Sequence, residues 1–312
     1  MATAAAAGYQ AVRGALDLRA FPPPGRLVDI GGRRLHLYCT GHGSPTVVLE
    51  SGLGSPSPVW SEVQARIATR TRVCSYDRAG TAWSDPAHGT RDPVHIALDL
   101  KRLLDAAGVG EPLVLVGHSF GGLYVRAFQD LYPERVAGLV LLDATHEDYF
   151  TRTTEGRAEY KGLLATYGVI EFAAPLGLVR LGPQCELPAS SSARTRARFR
   201  ALCTQTQAWW SAAAELRAVT VPLPVPRTAP VLRTLPLAVL SAGESLRGTR
   251  HWRELQDKLA ALSNRSIAVV VAEANHSSLL LNPGHAERSA EAILEVVSLA
   301  RTAERQRGAP VR

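Results

Sequence analysis

The sequence predicts an α/β fold in which a mostly parallel, doubly wound sheet of about eight strands is flanked by helices on both faces. Short apolar runs of strand type alternate with segments of helical periodicity. The run 136–142 is almost wholly apolar, as parallel strands buried on both faces are. At 312 residues the chain is long enough for one such domain with an insertion.

The strands and helices of this core follow one another in chain order. Residues 1–25 are expected to be a weakly ordered N-terminal arm. The first part of the core is assigned to 26–143, where Gly31-Gly32 is a strong hairpin signal. The second part is assigned to 235–312. Predicted strands are 26–30, 33–39, 46–50, 71–76, 113–116, 136–142, 237–241 and 266–272, and predicted helices begin near residues 93, 122, 249 and 283, with Asp92 as the N-cap of the first.

The regular alternation stops between residues 144 and 234. This stretch has a helical pattern at about 193–219 and closes with prolines at 222, 224, 226 and 230. It is predicted to be a helical cap inserted after the sixth strand. Trp209 and other aromatic residues of the segment favour an apolar substrate pocket, although packing of the cap onto the core would use the same side chains.

The pentapeptide Gly-His-Ser-Phe-Gly at 117–121 has the sequence of a nucleophile elbow. A strand pattern precedes it and a helical pattern follows it. The elbow forces its serine into a strained conformation, and Gly117 and Gly121 remove side chains that would collide with the turn. Ser119 is therefore predicted to present its hydroxyl at the carboxyl edge of the sheet, beside the positive end of a helix.

A serine hydroxyl is a weak nucleophile, so it needs a base within reach and a carboxylate to orient that base. His276 fits the base best, because it follows the last predicted strand by a short loop at the same edge of the sheet. His146 follows another core strand and is expected to border the pocket.

Two residues are candidates for the acid. Asp143 ends the apolar run 136–142, and Glu244 lies in the loop after the strand 237–241. Asp143 is favoured, since a charge that ends a buried strand needs a partner and His276 is the obvious one. A purely structural role for Asp143 at the entrance to the cap stays open.

Acyl transfer also needs hydrogen-bond donors for the developing oxyanion. The N–H of Phe120, which follows the nucleophile, is one predicted donor. The second is assigned to Leu53 in the loop after the third strand, where flanking glycines let the backbone turn towards the site. Gly52 and His118 are expected to line the substrate pocket beside these donors.

Over roughly residues 26–302 the chain resembles the α/β-hydrolase superfamily, and in particular its small, cap-bearing, esterase-like members. The motifs are Gly-His-Ser-Phe-Gly-Gly at 117–122, Glu-Ser-Gly-Leu-Gly at 50–54, Ser-Tyr-Asp-Arg-Ala-Gly-Thr-Ala-Trp-Ser at 75–84, Leu-Val-Leu-Leu-Asp at 139–143 and Asn275-His276. Two departures alter the pocket rim: Ser51-Gly52 replaces the usual His-Gly, and Thr81-Ala82 replaces the commoner Gly-His or His-Gly.

The resemblance implies a serine hydrolase that cleaves a small, apolar carboxylic ester through an acyl-enzyme, with no cofactor and no metal. The same triad could act on an amide or a carbon–carbon bond. A serine nucleophile argues against haloalkane and epoxide chemistry, which normally uses a carboxylate in this family. The alternative from another class is a non-catalytic protein that binds a ligand in an inherited site.

Composition limits the partners and the location. The net charge of +7 comes from scattered arginines, without the groove-reading elements of a nucleic-acid-binding protein. No apolar run approaches the ~20 residues that span a bilayer, and the alanine-rich start makes a poor signal peptide. A cytoplasmic protein is expected, with export or membrane association as the alternative if an upstream segment is missing. Cys39 and Cys74 should lie in neighbouring strands and Cys185 and Cys203 both in the insertion, but reduced thiols are the favoured expectation.

Overall fold

A computed structural model describes residues 2–87, 89–182, 185–187, 192–220 and 232–308. Its centre is an eight-stranded sheet formed by β1 (Arg26–Asp29), β2 (Arg34–Thr40), β3 (Thr46–Glu50), β4 (Val73–Tyr76), β5 (Leu113–His118), β6 (Val136–Leu142), β7 (Leu237–Ala242) and β8 (Ser266–Val271). The strand order is β1-β2-β4-β3-β5-β6-β7-β8. β2 runs antiparallel to β1 and β4, and the other neighbours are parallel. The predicted fold class is confirmed.

The described chain also contains helices, some of which pack on the two faces of this sheet. They are α1 (Ala2–Ala20), α2 (Ser61–Ile67), α3 (Pro93–Ala106), α4 (Gly121–Leu131), α5 (Asp148–Arg152), α6 (Thr154–Ala173), α7 (Ala193–Cys203), α8 (Thr206–Ala218), α9 (Gly243–Gly248), α10 (Trp252–Ala260), α11 (Ser278–Leu281) and α12 (Pro283–Gly308). α3 begins as predicted, with the Asp92 carboxylate accepting the His95 backbone N–H at 2.9 Å.

Successive residues of the central strands enter two different cores. In β3, Val47 and Leu49 belong to the apolar cluster that contains residues of α2 and α12. Val48, between them, belongs to the cluster that contains residues of α3, α4 and α10. This alternation follows from the two-residue period of a strand, and it holds the carboxyl ends of the parallel strands in one fixed row.

Helices α5 to α8 stand between β6 and β7 and are called the inserted helices below. The single helix predicted at 193–219 is wrong in detail: Thr204 and Gln205 separate α7 from α8, and Gln205 has extended backbone. The proline-rich return at 222–230 lies outside the described residues. The division of the chain into domains stays a prediction.

The weakly ordered arm predicted for residues 1–25 is wrong, because α1 occupies most of it. Alanine is the strongest helix former, so the alanine run was itself a helix signal. The helix lies against the inserted helices. The Gln10 side chain donates to the Thr204 carbonyl at 2.8 Å, and Arg180 forms an ion pair with Asp17 at 2.7 Å.

The expectation of reduced thiols is also wrong, since the four cysteines form two disulfides. Cys39 is bonded to Cys74, its direct partner in the β2–β4 register, and Cys185 is bonded to Cys203 at the end of α7. Among the helices that the structure describes, none is both long and apolar enough to cross a membrane.

Candidate active site

Ser119 occupies the sharp turn between β5 and α4, with a φ of +56°. Positive φ is strained for a residue with a side chain and persists only where the surroundings enforce it. Here the backbone packs too closely for any side chain at the flanking glycines. A Cβ on Gly117 would lie 2.5 Å from the Gly121 carbonyl oxygen, and one on Gly121 would overlap the Glu50 carbonyl. The elbow geometry expected from the sequence is therefore present.

His276 and Asp143 lie together at the carboxyl edge of the sheet. The Nδ1–H of His276 donates to Asp143 Oδ2 at 2.7 Å, and about 40% of the histidine side chain is exposed. Asp143 follows β6 directly, with a φ of +43°, and is fully buried. Because a carboxylate oxygen only accepts, this bond leaves Nε2 of His276 free of a proton in the neutral ring.

The Asp143 carboxylate accepts hydrogen bonds on both oxygens. Oδ1 accepts from Trp252 Nε1 at 2.9 Å and from the Ala242 backbone N–H at 3.2 Å, while Oδ2 also accepts from Ser245 Oγ at 2.6 Å. Burial alone would raise the pKa of Asp143, but the bonds from His276, Ser245 and Trp252 outweigh it and lower the pKa. The group is therefore held as a carboxylate.

Glu244, the other candidate acid, stands apart from this arrangement. It is the second residue of α9 and has an exposed side chain, and its backbone N–H donates to the Ala274 carbonyl at 3.0 Å. Both Glu244 and His276 line a wide surface cavity of about 970 Å³. The imidazole Nδ1 itself is directed at Asp143, so the geometry favours Asp143 as its partner.

His118 supports the loop of His276. Its Nε2–H donates to the His276 backbone carbonyl at 2.9 Å, and the two rings lie 4.5 Å apart. Burial and, next, the charge of His276 lower the pKa of His118 to about 3, so its ring is neutral. His118 is only 6% exposed, so it supports the His276 loop from below and does not form an open wall of the pocket.

The loop after β3 lies directly against the nucleophile. A Cβ built on Gly52 would stand 3.1 Å from the Ser119 Cβ and 3.5 Å from its Oγ, so only glycine leaves this approach free. The Leu53 side chain packs against the buried cluster that contains Phe120. The two predicted oxyanion donors thus belong to segments that meet beside Ser119.

A small cavity of about 110 Å³ lies between this loop and the inserted helices. Leu53 and Trp209 are among its lining residues, together with Phe199 and Cys203. The Trp209 ring also packs against Tyr167, with centroids 5.8 Å apart.

His146 does not line this cavity. It is buried after β6, where its Nδ1 accepts the Asp148 backbone N–H at 3.0 Å.

A buried cluster of charged side chains holds the loop after β3 on the side away from Ser119. Arg78, which follows β4, donates from Nη1 to Glu50 Oε1 at 2.6 Å and to the Ser51 carbonyl at 2.8 Å. Its Nη2 donates to the Gly52 carbonyl at 2.8 Å. Nε and Nη2 also bind the two carboxylate oxygens of Glu215 at 2.9 and 2.8 Å.

Glu215 belongs to α8, one of the inserted helices, and also binds Arg91 at 2.8 Å. Burial alone would lower the pKa of Arg78, but Glu215 and Glu50 raise it well above its usual value. For Glu215, burial is outweighed by Arg78 and Arg91, which lower its pKa. Burial raises the pKa of Glu50, against the opposing effect of Arg78. Arg78 and Glu215 therefore form an ion pair between the core and the inserted helices.

Residues 45–182 match the family model described as the alpha/beta hydrolase fold. A thermophilic esterase from Thermogutta terrifontis superposes with a TM-score of 0.64 at 21% identity, covering 88% of this chain and 97% of that one. An enol-lactonase from Burkholderia xenovorans LB400 superposes with a TM-score of 0.62 at 19% identity, covering 88% and 100%. The chain therefore has the α/β-hydrolase fold, and the family model matches it over residues 45–182.

Among curated proteins, this chain is 35% identical over 134 residues to a probable transporter, efuK, of Hormonema carpetanum. That match covers 40% of this chain and 19% of the relative. The matches to the first curated relatives span between about a fifth and about half of those proteins' length.

Several polar residues of the site escape local sequence patterns. Trp252 and Ser245, which hold the Asp143 carboxylate, come from α10 and α9, more than a hundred positions further along the chain. Glu215 gives one local signal, a carboxylate in the otherwise apolar run 212–216 of α8. In the described part of the chain, no group of three or more His, Cys, Asp or Glu side chains is arranged to hold a metal ion.

Proposed function

We propose that this α/β-hydrolase cleaves a carboxylic ester through an acyl-enzyme, with Ser119 as nucleophile, His276 as general base and Asp143 as the residue that orients the base. The observation that carries this proposal is the 2.7 Å bond from His276 Nδ1 to the buried Asp143, at the sheet edge where the strained elbow presents Ser119. Along the chain the nucleophile comes first, the carboxylate second and the base last, which is the order typical of this fold.

The geometry supports the following sequence of proton transfers. The Nε2 lone pair of His276 takes the proton of Ser119 Oγ as the oxygen attacks the ester carbonyl. The imidazolium that forms is stabilised by the Asp143 carboxylate and gives its proton to the leaving alcohol. A water molecule, activated by the same imidazole, then attacks the acyl-enzyme and releases the acid.

The backbone N–H groups of Phe120 and Leu53 are proposed to stabilise the negative oxygen of the tetrahedral intermediates. Phe120 begins the turn into α4, so its N–H lies near the positive end of that helix. Leu53 lies in the loop that approaches Ser119 through Gly52. Donors fixed in the folded backbone need no reorganisation when the charge develops.

The surroundings favour an apolar substrate. Leu53 and Trp209 line the small cavity beside the proposed oxyanion donors, and Phe120 belongs to a buried apolar cluster with Phe150 and Trp252. The esterase and the enol-lactonase of similar fold are named for ester-type bonds, which agrees with this choice. Gly52 is assigned to the approach to Ser119, whereas His118 and His146 are buried and are not assigned to contact with the substrate.

The two disulfides favour an oxidising compartment for this enzyme, because such bonds are rare in a reducing cytoplasm. This location replaces the cytoplasmic one that the sequence suggests.

Purified wild type and Ser119→Ala should be assayed on p-nitrophenyl esters from acetate to palmitate, and both should be treated with a fluorophosphonate probe. Turnover and labelling by the wild type alone are expected. Labelling without ester turnover would point to an amide or carbon–carbon substrate. A folded wild type that neither turns over nor becomes labelled would support the non-catalytic binding protein instead.

A further inference from the structure

We infer that Arg78 is a positioning residue for the proposed oxyanion donor Leu53, and that Glu215 makes this positioning depend on docking of the inserted helices. The inference rests on the proposed function, because it concerns how that site is assembled. Neither side chain is expected to touch the substrate, since both lie behind the loop and are almost fully buried, at 3% and 1% exposure.

All the N–H donors of Arg78 are engaged. A guanidinium has five, and here two bind Glu215, one binds Glu50, and two bind the carbonyls of Ser51 and Gly52. A simple ion pair needs no backbone partners. The two bonds to consecutive carbonyls therefore give Arg78 a second task, which is to fix the orientation of two successive peptide groups.

The second of these peptide groups carries the proposed donor. In a trans peptide the C=O and the following N–H point in opposite directions, so holding the Gly52 carbonyl also sets the direction of the Leu53 N–H. The guanidinium draws the carbonyl to one side of the loop, and the N–H is turned to the other. The Ser55 backbone N–H binds the same carbonyl at 3.2 Å, which reinforces the orientation.

Glu215 connects this arrangement to α8. Arg78 is charged and buried, and a buried charge without a partner is strongly unfavourable. Withdrawal of α8 would remove both bonds to Glu215 and leave Arg91 without the 2.8 Å bond that it makes to the same carboxylate. Arg78 would then turn towards solvent or other acceptors and release the carbonyls of Ser51 and Gly52. The oxyanion site is thus completed only when the inserted helices are in place.

Arg78→Lys and Glu215→Gln test the inference, with Arg135→Lys as the matched control. Lysine keeps the charge but has a single donor atom, so it cannot hold two carbonyls and two carboxylates at once. Arg135 is a similarly buried arginine that binds Asp105 at 2.7 Å next to the start of β6, at the opposite edge of the sheet. The rate of Ser119 phosphonylation by a fluorophosphonate, kcat and KM for an ester, and Tm are measured for each protein.

Loss of one oxyanion donor slows enzymes by about 10²–10³-fold, so Arg78→Lys should lower kcat and the phosphonylation rate together by about 10²-fold with KM within about twofold. Glu215→Gln, which keeps the shape and one acceptor, should lower both rates by about tenfold, and Arg135→Lys should leave them unchanged. If Arg78→Lys does not fold, Glu215→Gln decides alone.

The inference would be overturned by variants whose Tm falls but whose kcat and phosphonylation rate stay at wild-type values below the unfolding transition. The ion pair would then be purely structural. An equal slowing by Arg135→Lys would also overturn it, since any buried arginine would then have the same effect. If the wild type itself is not labelled at Ser119, the proposed function fails, and that failure is recognisable because it precedes any comparison of variants.

Discussion

His276 Nδ1 and Asp143 Oδ2 lie 2.7 Å apart although the two residues are separated by 133 positions. The sheet produces this contact, because Asp143 directly follows β6 and the loop after β8 returns to the same edge. Three further donors hold the carboxylate, so it has a fixed direction before any substrate arrives. The Asp143 carboxylate is thus oriented by the fold itself.

Asp143→Asn should lower kcat/KM for ester hydrolysis by about 10⁴-fold, because an amide at this position favours the wrong tautomer of the histidine. Glu244→Gln is the matched control and should retain nearly full activity, since that side chain is exposed. Both are measured with the same p-nitrophenyl ester. The reverse pattern would move the acid to the loop after β7.

Trp209→Ala should change the preferred acyl chain length more than it changes stability. The indole and Leu53 line the 110 Å³ cavity. The proposed function places the acyl group at this cavity, so removal of the indole should enlarge the space for it. The profile of kcat/KM from acetate to palmitate esters should shift towards longer chains. An unchanged profile together with a lowered Tm would assign Trp209 to packing of the inserted helices alone.

The ion pair between Glu147 and Arg126 should make the free energy of unfolding fall in acid, as Glu147 becomes protonated. Burial alone would raise the pKa of Glu147, but its bonds to Arg126 at 2.6 and 2.9 Å outweigh that effect and lower the pKa to about 2. A carboxyl whose pKa is lower in the folded than in the unfolded chain stabilises the fold above the unfolded value. That stabilisation is lost as the pH falls through the folded value.

A shift of this size corresponds to about 3 kcal/mol. The free energy of unfolding of Glu147→Gln in urea should therefore lie below that of the wild type by about this amount at pH 7, with the gap closing between about pH 4.5 and pH 2. Glu254→Gln, which breaks an exposed pair with Lys258, should leave the free energy of unfolding nearly unchanged, because solvent screens that pair. A gap that stays constant down to pH 2 would exclude the ion pair as its cause.

Removal of the disulfide between Cys185 and Cys203 should destabilise the inserted helices. The two positions are 18 apart, and a bridge that closes a loop of about this length contributes about 3 kcal/mol through the entropy of the unfolded chain. The double variant Cys185→Ser with Cys203→Ser should show this loss in urea unfolding. Thiols that titrate in the denatured, unreduced wild type would contradict the assigned bridges.

The sequence was sufficient to predict features that depend on residues close together in the chain. Ser119 was predictable because the elbow needs glycines two positions to either side, and α3 was predictable from Asp92 and the apolar period behind it. The eight strands were predictable from short apolar runs of the same local kind. These features are encoded within a few residues of each other.

Features that depend on distant partners were not predictable in this way. Asp143 and Glu244 both end up near the carboxyl edge, and only the direction of the imidazole distinguishes them. α1 was missed because an alanine-rich helix has a weak apolar stripe and gains its contacts from the inserted helices. Arg78 and Glu215 are 137 positions apart, so no local period relates them.

The pairing of Arg78 with Glu215 also limits how this enzyme can be re-engineered. Segments between β6 and β7 are natural candidates for exchange when a new substrate range is sought. A donor segment without a carboxylate at the place of Glu215 would leave two buried arginines, Arg78 and Arg91, facing an apolar surface. Chimaeras of this protein should therefore carry the acidic residue across with the graft, or replace both arginines in the recipient.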